Sequence, residues 1–290
     1  MSVFPKLSII TAIHNGLAMN QFFWAALSQH TTSPFELVVV DNHSTDGSEL
    51  FFKELSERYP DRVVYLRNEM NRSYPASQNQ GMRAARADIL CFLNNDIWMP
   101  KGWNEPFEVE LAKQPYSVLS PSGQEAQPCQ RDSDALKKRW KRAVFLSGAW
   151  AKLFRSSEQS RLEHAMRLMY GPLESFRNPT RVRAQDSMPG IKGDTVLFHR
   201  DLLKVIPGIW DERIEAADWH LYLSVAKANE KDPSIPLPRV LFNVYVHHFG
   251  RYTARRQKES FEKRVPLQPL ESLWSKADID RLWWGNLLPE

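Results

Sequence analysis

Over its first hundred residues the chain repeats one unit: a short apolar run rich in β-branched residues, a polar turn, then a stretch with helical spacing. Leu7-Ser8-Ile9-Ile10-Thr11 leads to the turn Asn15-Gly16 and a helix over 17–30. Phe35-Glu36-Leu37-Val38-Val39-Val40 reads as a strand buried on both faces and ends at Asp41. Asp46 is placed to cap a helix whose inner face would carry Leu50, Phe51 and Leu55. A third strand covers 63–66, and Pro75 suits the first turn of a helix running to about 87. Ile89-Leu90-Cys91-Phe92-Leu93 is the fourth strand, closing on Asn94-Asn95-Asp96. This alternation predicts an α/β fold with a mostly parallel central sheet and helices on both faces. Ligands of such sheets lie beyond the carboxyl ends of the strands, so Asp41 and Asn94 to Asp96 should line one crevice.

The pattern then breaks. Residues 100–190 carry helical stretches over about 131–142 and 156–169, interrupted by Pro115, Pro121, Pro128, Pro172, Pro179 and Pro189. They are expected to form an insertion or lobe beside the sheet. Strand signals return over 195–199, followed by a helix from about 217 and a strand over 240–246. The tail offers an amphipathic face of Leu270, Leu273, Trp274, Ala277, Leu282 and Trp283. That face is read as docking on the protein's own core, with a membrane or partner contact as the other option. The expected division is 1–103 as the first half of a domain, 104–192 as a helical insertion, 193–255 as the second half of the same domain and 256–290 as a helical tail.

Composition narrows the class. At 290 residues, with 42% hydrophobic and 25% charged, the chain is long enough for one large core. Basic residues cluster at Lys137-Lys138-Arg139-Trp140-Lys141-Arg142, at Arg181-Val182-Arg183 and from Arg251 to Arg256, yet the net charge is only +4. With no helix-turn-helix, zinc or RNA-binding signature, a nucleic-acid partner is not expected. Cys91 and Cys129 form neither a disulfide framework nor a zinc spacing. The first residues lack a leader pattern, and no apolar run approaches the roughly 20 residues that span a bilayer. A cytoplasmic protein is expected, with a peripheral contact to the inner face of the membrane left open and no oligomeric state implied.

The motifs sharpen this. Val39-Val40-Asp41-Asn42-His43-Ser44-Thr45-Asp46-Gly47-Ser48 puts a carboxylate at a strand end, where it can accept hydrogen bonds from a base edge or a ribose. Asn79, Gly81 and Ala84 precede the strand that ends in Phe92-Leu93-Asn94-Asn95-Asp96, an oxygen-rich turn suited to a hard divalent cation. In order and spacing, residues 7–103 resemble the nucleotide-binding half of the family 2 glycosyltransferases of the GT-A fold.

That resemblance implies an inverting enzyme that moves a hexosyl or deoxyhexosyl unit from a nucleoside-diphosphate sugar, UDP or dTDP foremost. The acceptor hydroxyl would belong to a glycan, a lipid-linked glycan or a protein. Thr11, Asn15, Asp41, Asn79 and Arg251 would bind the nucleotide. Asp96, where the family usually has Asp-x-Asp, and His248, with His247 as the alternative, would hold Mn²⁺ or Mg²⁺. Lys192-Gly193-Asp194 resembles the loop before the acceptor site, giving Gly193, Asp194 and Trp219 an acceptor role. Asp218 would be the catalytic base, the other option being a plain helix-start aspartate. A catalytically silent nucleotide-sugar binder and a nucleotidyltransferase remain the competing readings.

Overall fold

The computed structural model describes residues 4–173, 176, 186–250 and 267–283. Its centre is an eight-stranded sheet. Four parallel strands come first in sequence: β1 (Leu7–Ile13), β2 (Phe35–Asp41), β3 (Val63–Arg67) and β4 (Ile89–Leu93). Helices α1 (Leu17–His30), α2 (Ser48–Arg58) and α3 (Tyr74–Ala84) connect them. The short β5 (Ile97–Trp98), then α4 (Glu105–Lys113) and β6 (Val118–Ser122), precede a hairpin of two long helices, α5 (Gln130–Phe154) and α6 (Glu158–Tyr170). The chain continues through β7 (Ser187–Pro189), β8 (Thr195–His199), α7 (Ala217–Lys231), β9 (Arg239–Tyr245), β10 (His247–His248) and α8 (Lys276–Leu282). Strand order is β3-β2-β1-β4-β8-β6-β9-β7, with β8 and β7 antiparallel to their neighbours.

Period-two alternation sorts the strand side chains into two cores. Leu7, Ile9, Leu37, Val39, Cys91 and Leu93 face one side, with α1, α2, α4 and the hairpin above them. Ile10, Val38, Leu90, Phe92, Val196 and Phe198 face the other, against α3 and α7. The approach of α3 is close. A Cβ on Gly81 would fall 2.3 Å from Ile10 Cγ2, so this mid-helix glycine exists for space.

Several expectations need adjustment. Residues 104–192 are not all helical, because β6 and β7 are hydrogen-bonded into the central sheet. Their prolines hid them: Pro121 lies inside β6 and Pro189 ends β7, the edge strand. Asp46 does more than cap the helix that follows. One carboxylate oxygen accepts from Ser48 N (3.1 Å), but the other accepts from Gly16 N (2.6 Å) and Leu17 N (2.9 Å), capping α1 across the crevice wall. On α2 the inner face is Phe52 and Leu55, whereas Leu50 is exposed. The tail packs on α7: Trp274 and Leu282 are buried, and Trp283 stacks on Trp219 at 3.6 Å between ring centroids.

Candidate active site

The carboxyl ends of β2, β1 and β4 lie side by side in the sheet, and several of the singled-out residues make hydrogen bonds that join the loops there. Asn15 takes a left-handed conformation (φ 57°), donates from its N–H to Ser44 Oγ (2.8 Å) and accepts from Thr45 N (2.8 Å). It thereby fastens the loop after β1 to the loop after β2. Asn79 donates to Trp210 O (2.8 Å) and Glu212 Oε1 (2.9 Å), tying α3 to the loop before α7. Asp41 is fully buried. It accepts from Ser44 N (2.8 Å), from the Tyr65 hydroxyl (2.6 Å) and from Arg67 Nη1 (3.3 Å). Tyr65 and Arg67 escaped the motif reading because they belong to β3. The register explains them: Val39 pairs Tyr65 and Asp41 pairs Arg67. Thr11 pairs with Val39, level with Tyr65 and two positions before Asp41; it is buried, with a hydroxyl that has no hydrogen-bond partner among the described residues.

On the other side of the crevice stands a charged cluster. The ribbon of β10 on β5 sets His248 opposite Ile97, and Phe249 N donates to Asp96 O (2.9 Å). His248 is thereby held between two carboxylates, with Nε2 3.3 Å from Asp96 Oδ1 and Nδ1 3.2 Å from Asp194 Oδ2. Burial alone would lower its pKa, but Asp194 and the hydrogen bond to Asp96 outweigh that and push it up to about 9. Asp194 also pairs with buried Lys192 at 2.7 Å. Burial opposes its ionisation, yet Lys192 and His248 hold its pKa below the ordinary carboxylate range. Asp194, expected on the acceptor side, has its carboxylate in this cluster, where Lys192 and His248 are its cationic partners. Glu125, Asp194 and His248 present ligand atoms within 4.8 Å of one another, a group that could hold a metal ion. Glu125 carried no sequence signal.

The two histidines part company because successive strand residues face opposite ways. His247 is fully buried, its Nδ1 engaged by the Tyr170 hydroxyl (2.8 Å) and Gln124 (2.8 Å), with Trp140 and Phe249 against its ring. Burial holds its pKa well below normal, so it is a neutral ring in an aromatic cage.

Asp218 lies in the first turn of α7 and packs on Gly193, where a Cβ would fall 2.2 Å from its Oδ2. Tyr74 donates to Gly193 O (3.2 Å) and walls the same corner. Burial raises the Asp218 pKa, backbone N–H groups at the helix start oppose this, and Asp194 raises it further. Nearby Asp211 is different: the Arg213 guanidinium holds its pKa down to about 2, which leaves it a poor proton acceptor. Trp219, beside Asp218, is 40% exposed and braced by Trp283. Arg251 lies outside the described residues.

A family model described as "Glycosyl transferase family 2" matches residues 8–177. Among curated proteins, the chain is similar to glycosyltransferase AglE of Haloferax volcanii (30% identical over 106 residues, 36% of this chain and 34% of that protein). It is also similar to polypeptide N-acetylgalactosaminyltransferase 4 of Caenorhabditis elegans (30% over 118 residues, 39% of this chain and 19% of that protein). The matched part is thus about a third or less of those relatives' own length. Among solved structures, it resembles mannosyltransferase PcManGT from Pyrobaculum calidifontis, in complex with GDP-Man and Mn²⁺ (TM-score 0.55, 17% identity, covering 88% of this chain and 61% of that one). A second likeness is GalNAc-T7 with UDP, GalNAc and Mn²⁺ (TM-score 0.56, 12% identity, covering 84% of this chain and 44% of that one). These likenesses identify the fold as GT-A-like.

Proposed function

Because the chain belongs to glycosyl transferase family 2, whose model covers residues 8–177, we propose that it moves a sugar from a nucleoside-diphosphate sugar, UDP or dTDP foremost, to an acceptor hydroxyl with inversion at the anomeric carbon. The observation that carries this reading is Asp218. A carboxylate at a helix start, seated on Gly193 with a raised pKa, is suited to accept a proton. In the proposed reaction the acceptor hydroxyl loses its proton to Asp218 as its oxygen attacks the anomeric carbon. The bond from that carbon to the diphosphate breaks on the opposite face. One displacement of this kind inverts the centre.

The donor nucleoside is assigned to the strand ends that carry Thr11 and Asp41, where the Thr11 hydroxyl has no hydrogen-bond partner among the described residues and Tyr65 and Arg67 orient the Asp41 carboxylate. The residues of the charged cluster fit a hard divalent cation. Asp96 Oδ1 and His248 Nε2 are 3.3 Å apart, close to the roughly 3 Å between adjacent ligands of an octahedral ion with bonds of about 2.1 Å. Asp96 and His248 Nε2 would hold it, while Glu125 and Asp194 gather with His248 as the other candidate set. A cation bound there supplies positive charge against the departing diphosphate. The neighbours' Mn²⁺ complexes support this reading. Trp219, exposed beside Asp218, is assigned to the acceptor side.

The test is a thermal-shift panel of UDP, GDP, dTDP and CDP, each with and without Mn²⁺. UDP or dTDP should raise the melting temperature most, and more with metal. Equal, metal-independent shifts for all four would remove the site assignment.

A further inference from the structure

The hairpin of α5 and α6 carries surface chemistry that sugar transfer does not require. On α5, Phe145 (75% exposed), Leu153 (76%) and Phe154 (62%) stand in water. Lys138, Lys141 and Arg142 are exposed beside them. At 100° per residue, 138, 141, 142, 145, 152 and 153 fall on one side of the helix. Between Ala135 and Ser157 there are seven basic residues and no acidic one. The opposite side holds the hairpin together: Leu136, Ala143 and Ser147 are buried, Ser147 Oγ donates to Arg161 O, and Arg139 donates to Met169 O. The cationic, apolar side is therefore free of any structural duty in the fold.

Charge alone would suit any polyanion. The exposed phenylalanine and leucine side chains make the distinction. Against a nucleic-acid backbone they would stay in water, whereas at a bilayer surface they enter the boundary between headgroups and acyl chains while the lysines and arginines meet the anionic headgroups. No helix among the described residues is long and apolar enough to cross a membrane, so the contact lies on the surface.

We propose that the outward side of α5 docks the protein on an anionic lipid bilayer. The hairpin is also fixed to the crevice. Trp140, on the same helix, lies 4.3 Å from the His247 ring, next to His248. Leu153 is about 20 Å further along the helix. Docking would hold the crevice at a set height above the lipid. Among the described residues of the tail, Trp274 and Leu282 are buried against α7.

The experiment is co-sedimentation of the full chain with phosphatidylcholine vesicles, with and without phosphatidylglycerol. Binding should require phosphatidylglycerol and weaken with added salt. The triple variant Lys138→Gln, Lys141→Gln, Arg142→Gln should lose about 100-fold in partitioning, at about fivefold per cation. The double variant Phe145→Ser, Leu153→Ser keeps every charge and should still lose at least about tenfold. All five positions are exposed, so the melting temperature of each variant should match that of the parent. A parent chain that stays in the supernatant with phosphatidylglycerol overturns the proposal. So does a Phe145→Ser, Leu153→Ser variant that binds as well as the parent, or vesicle binding abolished by a duplex oligonucleotide that the same two apolar changes leave unaffected. Either of the last two results would mark a general polyanion site.

Discussion

The carboxylate of Asp218 fills the space that a side chain on Gly193 would need, with Oδ2 2.2 Å and Cγ 2.8 Å from where a Cβ would stand. The backbone at Gly193 lies outside the left-handed region, so the constraint is room alone. Gly193→Ala should therefore push Asp218 out of its seat. Turnover is expected to fall at least tenfold while nucleotide affinity, proposed to rest on Thr11 and Asp41, stays within about threefold. Calorimetry alongside a transfer assay checks this. Equal loss of both would mean that the loop of Gly193 shapes the donor site.

Asp218→Asn keeps the shape and removes the proton acceptor, so transfer should fall by about 10²- to 10⁴-fold with donor binding intact. The parent's rate should also drop on the acid side at a pH above the usual carboxylate value, since burial raises this pKa. Stability should follow the same linkage. Between the unfolded and the raised folded pKa, the folded chain binds more protons, so the Asp218 contribution is lost as pH rises through that window. At neutral pH the ionised side chain is then a cost. The Asn variant should melt no lower than the parent at pH 7 and lose any advantage near pH 4. A variant that melts lower than the parent at pH 7 would show that Asp218 stabilises the start of α7.

Asp96→Ala removes a charged oxygen that faces His248 at 3.3 Å. It should abolish most of the gain in nucleotide affinity that Mn²⁺ confers, by about tenfold or more. His248→Ala should cost less, because the Asp96 carboxylate remains as an oxygen donor for a hard ion, whereas imidazole is the softer ligand. Titrations with and without metal decide the order. Undiminished metal dependence in Asp96→Ala would move the ion towards Asp194 and Glu125.

Gly81→Ala tests the fold away from the chemistry. The added methyl would meet Ile10 Cγ2 at 2.3 Å and Val40 Cγ2 at 3.3 Å, both in the core. Overpacking of this kind costs about 1–3 kcal/mol, more than the gain in helix propensity that alanine brings. Urea denaturation should show a lower midpoint with an unchanged slope.

The first half of the fold was legible because its signals are local. Each strand from β1 to β4 is a contiguous run with its own turn, and α1 matches the expected 17–30 residue for residue. The strand at 195–199 and the start of α7 were legible for the same reason. The sequence by itself also determined which residue types gather at the strand ends, and with them the family. It did not reveal β6 and β7, whose prolines imitate loop punctuation and whose pairing partners come from distant β8 and β9. Only the tertiary structure decided which polar residues are framework and which face the crevice. Asn15 and Asn79 became fasteners, Asp46 capped a helix from the previous unit, and Asp41 acquired Tyr65 and Arg67 from the neighbouring strand. The two histidines, identical in sequence terms, were separated into an aromatic cage and a carboxylate pair by the pleat of a two-residue strand. A side chain's role depends on what lies across the space it points into, and that neighbour can come from chain more than a hundred residues away, as Trp210 does for Asn79 and Asp96 for His248.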